Sequence, residues 1–321
     1  MKTAEYVRKG HPDRVCEIIA DSLLDEFIKQ DPNSRVAIEV FGCHGIIIVG
    51  GEVTTNAHVD ISKIVKDTYK EIGYIDTVDV HMNISEQSRE ISDLADIGAG
   101  DSGIMIGYAT NETKEMLPLE VVLAKNICNV LDKRRDILLP DGKVQVTLQN
   151  DIATNVVVSY QSIDDYDDLV KTLVIQELGL HYNSVNTKIK IIRFVEGGFN
   201  ADTGLTGRKN VLWYGPSIPT GGGAFAGKDP TKVDRTGAYL ARMIAVRDIE
   251  KNKKEKSLVE IVYVIGSSTP LYIRIDGEMM DDSEILKLRL KDIIKIFKLD
   301  DPIYKDISLN GHFGNNEFIW K

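Results

Sequence analysis

The chain has 321 residues, 43% of them hydrophobic, and a formal net charge of −10; that length and apolar content can bury the cores of two or three domains. The acidic balance offers nothing global to nucleic acid or an anionic membrane, so an anionic substrate must be met by a local cluster of lysine and arginine. Cys16, Cys43 and Cys128 are odd in number, lack CxxC spacing and sit in apolar segments, which points to buried thiols in a reducing compartment rather than disulfides or zinc. No amino-terminal basic-then-apolar signal is present and no apolar run approaches the roughly 20 residues that span a bilayer. A cytoplasmic location is expected, without nucleic acid or membrane as partner.

Taken in order, "DRVCEIIADSLLDEFIKQ" places Val15, Ile18, Ile19, Leu23, Phe27 and Ile28 on one stripe and predicts a helix with Asp13 as N-cap. "RVAIEVF" and "GIIIVGGEVTT" flank the turn "GCH" as two strands, and "DISKIVKDTYKEIG" returns to helical spacing. The same order of helix, hairpin and helix recurs in "LEVVLAKNICNVLDKRR", "KVQVTLQN", "TNVVVSYQS" and "DYDDLVKTLVIQELG". It recurs again in "VDRTGAYLARMIAVRDIE", "SLVEIVYVIG", "PLYIRID" and "DSEILKLRLKDIIKIF". The leading helices begin roughly 105 to 115 residues apart, so the expected fold is α+β: three structurally similar domains in a pseudo-threefold repeat, each a small mixed sheet covered by helices. The expected domains are residues 1–88, 98–195 and 196–321, with exchange of segments between them allowed for. The stretches between the copies read as neither helix nor strand and hold most of the Gly, His, Asp and Lys a site would use.

"GGGAFAGKDPTKVDR", residues 221–235, nearly spells a phosphate-binding P-loop, with Gly222, Gly227 and Lys228 at the GxxxxGK positions but Asp229 in place of the Ser or Thr that holds magnesium. The preceding "LWYGPSIPT" reads as turn, and Pro230 interrupts the residues after the lysine, so the Walker reading is rejected. There remains a glycine-rich loop with Lys228, Lys232 and Arg235 behind it and Asp234 among them. Upstream, "GGFNADTGLTGRKN" sets Asp202 ahead of Arg208 and Lys209. Four cations, Arg208, Lys209, Lys228 and Lys232, then fall within about 25 residues of an acidic chain, which fits a polyphosphate site as well as it fits a solvated charged face. In "KGHPDR", His11 and Asp13 stand at a helix start, where free N–H groups favour an anion. "GAGDSGIMIGYATNET" satisfies GxGxxG at Gly98, Gly100 and Gly103, but "ISDLAD" is too acidic for the strand a dinucleotide fingerprint must follow. Its Asp101 is a candidate for a substrate ammonium or a metal.

"GHPDR", "GGEVTT", "GAGDSGIMIGYATNET", "GLTGRKN", "GGGAFAGKDPTKVDR" and "PIYKDISLNGHFG", in this order, resemble the S-adenosylmethionine synthetase (methionine adenosyltransferase) family from about residue 5 to the end. The resemblance implies a homodimer or a dimer of dimers, three similar α+β domains per subunit and active sites between subunits. It further implies ATP and L-methionine as substrates, with Mg2+, two ions per site, and K+ as cofactors. His11 then approaches the ATP phosphates, Asp13 and Asp234 bind magnesium and Glu39 matches the potassium-site glutamate. Glu52, Gln87 and Asp101 match methionine-side positions, and Asp202 and Lys232 match residues near methionine and the nucleotide. Asp141 and Lys143 match an ATP-contacting pair, and Arg193 and Phe194 match the element that packs on adenine. Arg208, Lys209, Ala224 and Lys228 complete the nucleotide contacts, with His11, Lys143, Arg208 and Lys228 implied as catalytic.

The implied chemistry accounts for the residue types. A thioether nucleophile has no proton to lose, so no general base is needed. Charge instead grows on departing triphosphate, which calls for preorganised cations. The chain departs from the family pattern in several places. Lys9 and Arg14 flank the "GHPD" run, adding charge near His11; "SREISDLADIGAGD" after Gln87 is short and lacks a proline; "LWYGPSIPTGGG" replaces a tyrosine-glycine-glycine run; and the chain is shorter than typical bacterial members. Two other readings compete: a phosphotransferase or NTPase using the same cradle, and a nucleotide-binding paralogue that regulates a partner subunit.

Overall fold

The computed structural model describes residues 1–88 and 97–320. Most of the segment after Gln87, including "ISDLAD", lies outside the described residues. Each of the three repeats contributes to one four-stranded sheet, and the sheets exchange edge strands in a cycle.

The first repeat opens with α1 (Pro12–Gln30), followed by the hairpin β2 (Arg35–Cys43) and β3 (Ile46–Thr54), α2 (Ile61–Ile72) and β4 (Asp79–Ser85). β4 runs parallel to β3, and β2 is antiparallel to it. The two-residue turn uses His44 at φ 36° and Gly45 at φ 80°, the left-handed conformations that match a hairpin's twist. The outer edge of β2 is taken by β9 (Gly204–Leu205), which comes from the third repeat.

The second repeat follows the same plan with α3 (Leu119–Asp132), β6 (Gly142–Gln149), β7 (Ile152–Gln161), α4 (Asp167–Leu178) and β8 (Lys188–Phe194), β8 being parallel to β7. Its edge is completed by β1 (Lys2–Val7), antiparallel to β6. The third repeat has α5 (Val233–Asn252), β10 (Lys256–Tyr263) and β11 (Tyr272–Ile275), with β5 (Gly103–Thr110) on its edge. It ends in the short antiparallel strand β12 (Glu278–Met279) where the other two have a parallel strand. Thus β1, β4, β5 and β8 are strands in addition to the expected hairpins. β4 (DVHMNIS) and the start of β8 (KIKI) carry the alternation of a half-buried strand, and each of the four pairs with the edge of a hairpin.

The expected single helix "DSEILKLRLKDIIKIF" is two: α6 (Asp282–Ile285) and α7 (Leu290–Phe297), broken where Arg289 turns extended at ψ 131°. α8 (Tyr304–Asn310) then docks on α1. α1 is unusual in burying charge through its first three turns, including Asp13, Arg14, Glu17 and Asp21. Each of these has a partner, as a buried ion must. Where α5 crosses β5, Gly107 is required: a Cβ there would lie 2.1 Å from the Ala241 backbone. Cys16 and Cys128 are buried, whereas Cys43, next to the hairpin turn, is partly exposed.

Candidate functional site

His11, not Asp13, caps α1: its backbone is extended and its Nδ1 accepts the Asp13 N–H at 3.2 Å, with Pro12 in the first helical position. That frees the Asp13 side chain, which is fully buried and turns toward the third repeat. Its Oδ1 accepts from Arg208 Nε at 2.7 Å and from the Leu205 N–H at 2.9 Å, and its Oδ2 accepts from Lys209 Nζ at 2.7 Å. Burial alone would push this carboxyl up, but Lys209, Arg208 and the Leu205 N–H outweigh it and hold it below its ordinary value. His11 moves down to about 4, first because it is desolvated and then because Lys209 stands beside it. Its ring is therefore neutral at pH 7, with the proton on Nε2, since Nδ1 is an acceptor.

The same corner draws in the central sheet. Gly10 packs on Pro140, its N–H donating to the Pro140 carbonyl at 3.2 Å. Arg8, on the segment between β1 and α1, donates to the Leu139 and Asp141 carbonyls at 2.7 and 3.0 Å. Lys143 and Asp202 lie close enough to influence His11, and Lys143 Nζ is 3.4 Å from Glu5 Oε2. Asp141 is turned inward: its oxygens accept from Gly142 N at 2.6 Å and Gly198 N at 2.8 Å, and burial raises its carboxyl. Arg193 and Phe194 end β8 at the same side of that sheet, with Arg193 Nη1 donating to the Ile163 carbonyl at 2.7 Å.

The glycine-rich loop comes next to this corner through Arg208 and Lys209. Asn210 Nδ2 donates to the Gly223 carbonyl at 2.7 Å, and Ala224 packs against Gly207. Gly223 passes directly over Asp234, where a Cβ would fall 2.0 Å from the carboxyl carbon. The loop's end lies along β2: Lys228 forms an antiparallel bridge with Ala37, and Lys228 Nζ reaches Asp234 Oδ2 at 2.5 Å. α5 starts only at Val233, so no helix comes straight after the lysine and the P-loop stays excluded. The Gly98–Gly103 run likewise leads into a strand, β5. Thr206, inside the GLTGRKN motif but not among the expected site residues, joins the two groups. It is the neighbour of Leu205, its hydroxyl donates to Glu39 Oε2, and its oxygen accepts the Val40 N–H at 3.3 Å.

Other residues stand apart from these groups. Lys232 is buried, with Nζ 2.6 Å from Asp229 Oδ2; the same carboxyl accepts from Val36 N at 2.7 Å and from Thr231. Asp229, the residue that spoiled the P-loop, thus anchors the loop to β2. Arg235, expected among the loop's cations, is fully buried against Asp21. Arg14, expected to add charge near His11, instead bonds Glu17 and the Ser308 carbonyl and lies 5.0 Å over the Trp213 ring. Glu52 faces solvent on β3, paired with Ala37, while Gln87 is buried beside Thr54 with its Oε1 unpartnered among the described residues. Asp101 accepts the Ser102 N–H at 2.7 Å, in a segment tied to Thr231 through the Gly100 N–H at 3.0 Å.

Among the described residues no three His, Cys, Asp or Glu side chains gather as a preformed metal site. Asp13, against Arg208 and Lys209, and Asp234, against Lys228, are hard oxygen donors. That set fits magnesium, which commonly binds one or two carboxylates together with substrate phosphates rather than an all-protein cage.

Fold and site together define a three-unit α+β protein in which Arg208, Lys209 and Lys228 pair with Asp13 and Asp234. Family models for the N-terminal, central and C-terminal domains of S-adenosylmethionine synthetase match residues 1–93, 96–193 and 196–321. The S-adenosylmethionine synthase of Aquifex aeolicus is 38% identical over 100% of this chain and 96% of its own length. Those of Deinococcus deserti and Pseudothermotoga lettingae are 37% and 38% identical over 99% of this chain and 95% of theirs. The chain belongs to the S-adenosylmethionine synthetase family.

Proposed function

We propose that this chain makes S-adenosylmethionine from ATP and L-methionine, as a methionine adenosyltransferase. A lone pair of the methionine sulfur forms the bond to the ribose 5′ carbon, the C5′–O bond breaks, and its electrons leave with triphosphate. The product is a sulfonium and no proton is released, so no base is needed. Triphosphate is then hydrolysed to pyrophosphate and phosphate by in-line attack of water in the same cradle.

The observation that carries this reading is the fixing of Arg208, Lys209 and Lys228 against Asp13 and Asp234. Cations already fixed in place stabilise a leaving group without reorganising during reaction. His11, neutral with Nε2–H free of its capping duty, adds a hydrogen-bond donor there. Asp13 and Asp234 would hold magnesium brought in with ATP, which supplies charge neutralisation on the phosphates. Glu39, with the Thr206 hydroxyl beside it, is the potassium candidate. Glu52, Gln87, Asp101 and Asp202 would serve the methionine side, and Asp141, Lys143, Arg193 and Phe194 the nucleotide.

The working unit in this reading is a homodimer, with a dimer of dimers as the larger alternative. Helices α1 and α2 cover one face of the β4-β3-β2-β9 sheet, and the other face is open. Ile46 and Ile48 are 36% and 41% exposed there, and Glu52 shares that open surface. Apolar residues on an open sheet face with a candidate substrate contact among them support an active site completed by a second subunit.

The test is a reaction of purified protein with MgATP and K+, with and without L-methionine, following S-adenosylmethionine, pyrophosphate and phosphate together. Methionine-dependent product equal to pyrophosphate is expected. Phosphate without S-adenosylmethionine would identify a triphosphatase or kinase, and ATP binding without any product a regulatory paralogue.

A further inference from the structure

Lys228 is held on a backbone that is pinned from two sides. Toward β2, the Ile38 N–H donates to the Gly227 carbonyl at 2.9 Å and the Asp229 N–H to the Val36 carbonyl at 3.0 Å. Toward α1, the Gly227 N–H donates to Asp21 Oδ1 at 2.8 Å. Gly227 has φ +77°, and a Cβ on it would lie 2.0 Å from the Ile38 carbonyl oxygen, so only glycine can make this double contact.

Asp21 is fully buried, one of the charged residues α1 would not need for its own packing. Arg235 Nη2 reaches both of its oxygens at 2.7 Å, and the Ser308 hydroxyl bonds Oδ2. The Arg235 guanidinium also lies 4.6 Å over the Tyr304 ring, while among the described residues its Nε and Nη1 have no hydrogen-bond partner. A buried ion pair with two donors left unpaired gains little stability over an apolar pair of similar volume. What an apolar pair could not replace is the acceptance by Asp21 of the Ser308 hydroxyl and, on the loop side, of the Gly227 N–H.

We propose that Asp21 is a positioning residue for the reaction: by accepting the Gly227 N–H it fixes where Lys228 Nζ stands when charge develops on the departing polyphosphate. The inference rests on the reading of Lys228 as a leaving-group contact. A displacement of about 1 Å in such a contact costs on the order of 100-fold in rate, and Gly227 is the residue directly before Lys228. Substrate binding elsewhere in the cradle does not pass through this bond, so the loss belongs in kcat rather than in KM for methionine.

The test compares two double variants that both remove the buried charges, so neither leaves an ion unpaired: Asp21→Asn with Arg235→Met, which keeps an acceptor for the Gly227 N–H, and Asp21→Leu with Arg235→Met, which does not. The first should exceed the second in kcat by roughly 10-fold or more, with KM for methionine agreeing within about threefold. The gap should close when both also carry Lys228→Ala. Equal kcat in the two pairs, or a gap that persists without Lys228, overturns the role of Asp21. Full kcat in Lys228→Ala alone overturns the reading of Lys228 instead, and the proposal with it.

Discussion

Arg208 Nε lies 2.7 Å from Asp13 Oδ1 although the two residues are 195 positions apart. The bond ties the start of α1 to the segment after β9, and Lys209 closes the other oxygen of the same carboxyl at 2.7 Å. Replacing Arg208 with methionine leaves Asp13 buried with one cation and one N–H. We expect kcat to fall roughly 100-fold or more, the scale of losing one preorganised donor, with methionine affinity measured by equilibrium binding changed much less. Equal losses in both would point to a collapsed corner.

Lys228→Ala separates chemistry from binding at the other end of the cradle. Turnover should drop by about two orders of magnitude while the dissociation constant for methionine stays within about threefold. Hydrolysis of added tripolyphosphate should fall in parallel, because the same cation faces the same oxygens in both steps. Intact tripolyphosphatase activity in this variant would place Lys228 outside the cradle.

His11 should titrate near pH 4 in the free protein, seen as the midpoint of its ring resonances by NMR. With the folded value below the ordinary 6.5, the unfolded chain takes the proton first as pH falls. The stability contributed by a neutral His11 is therefore full above 6.5 and is lost as pH drops toward 4. Tripolyphosphate bound in the cradle should raise the midpoint. A midpoint above 6 without ligand would contradict the packing described.

Asp25 gives the opposite sign. It accepts the Tyr304 and Lys305 N–H groups at the start of α8 at 2.9 and 2.8 Å, yet burial pushes its carboxyl up to about 7. The folded state then holds a proton that the unfolded chain releases earlier, so stability declines as pH rises from the ordinary value near 3.8 through 7. Asp25→Asn should gain on the wild type by roughly 2 to 3 kcal/mol in denaturant midpoint experiments between pH 5 and pH 8. A difference independent of pH would mean the carboxyl is ionised throughout.

Ile48→Lys tests the open sheet face. Ile48 is 41% exposed in the single chain, so the change should leave the fold intact and shift sedimentation toward monomer, with activity lost together with the dimer. A fully active monomer would remove the proposal of a site shared between subunits.

The amino-acid sequence by itself determined the repeat and most of the chemistry. Apolar spacing located α1, α2, α3, α4 and α5 and the central hairpins, because those elements carry their own amphipathic signal. It also located the cationic stretch from Arg208 to Lys232, where charge and glycine in an acidic chain stand out without any contact map. What only the tertiary structure decided was partnership. β1, β5 and β9 each complete a sheet built by another repeat, and no local pattern encodes a ladder formed with a segment far away. The same limit divided the cations: Arg235 and Lys232 read like Lys228 in sequence, yet Asp21 and Asp229 draw them into the interior while Lys228 stays partly exposed beside Asp234. A lysine's role is set by which carboxylate the fold places beside it, and that is settled by packing between distant segments, where the free energy of burying a charge is decided.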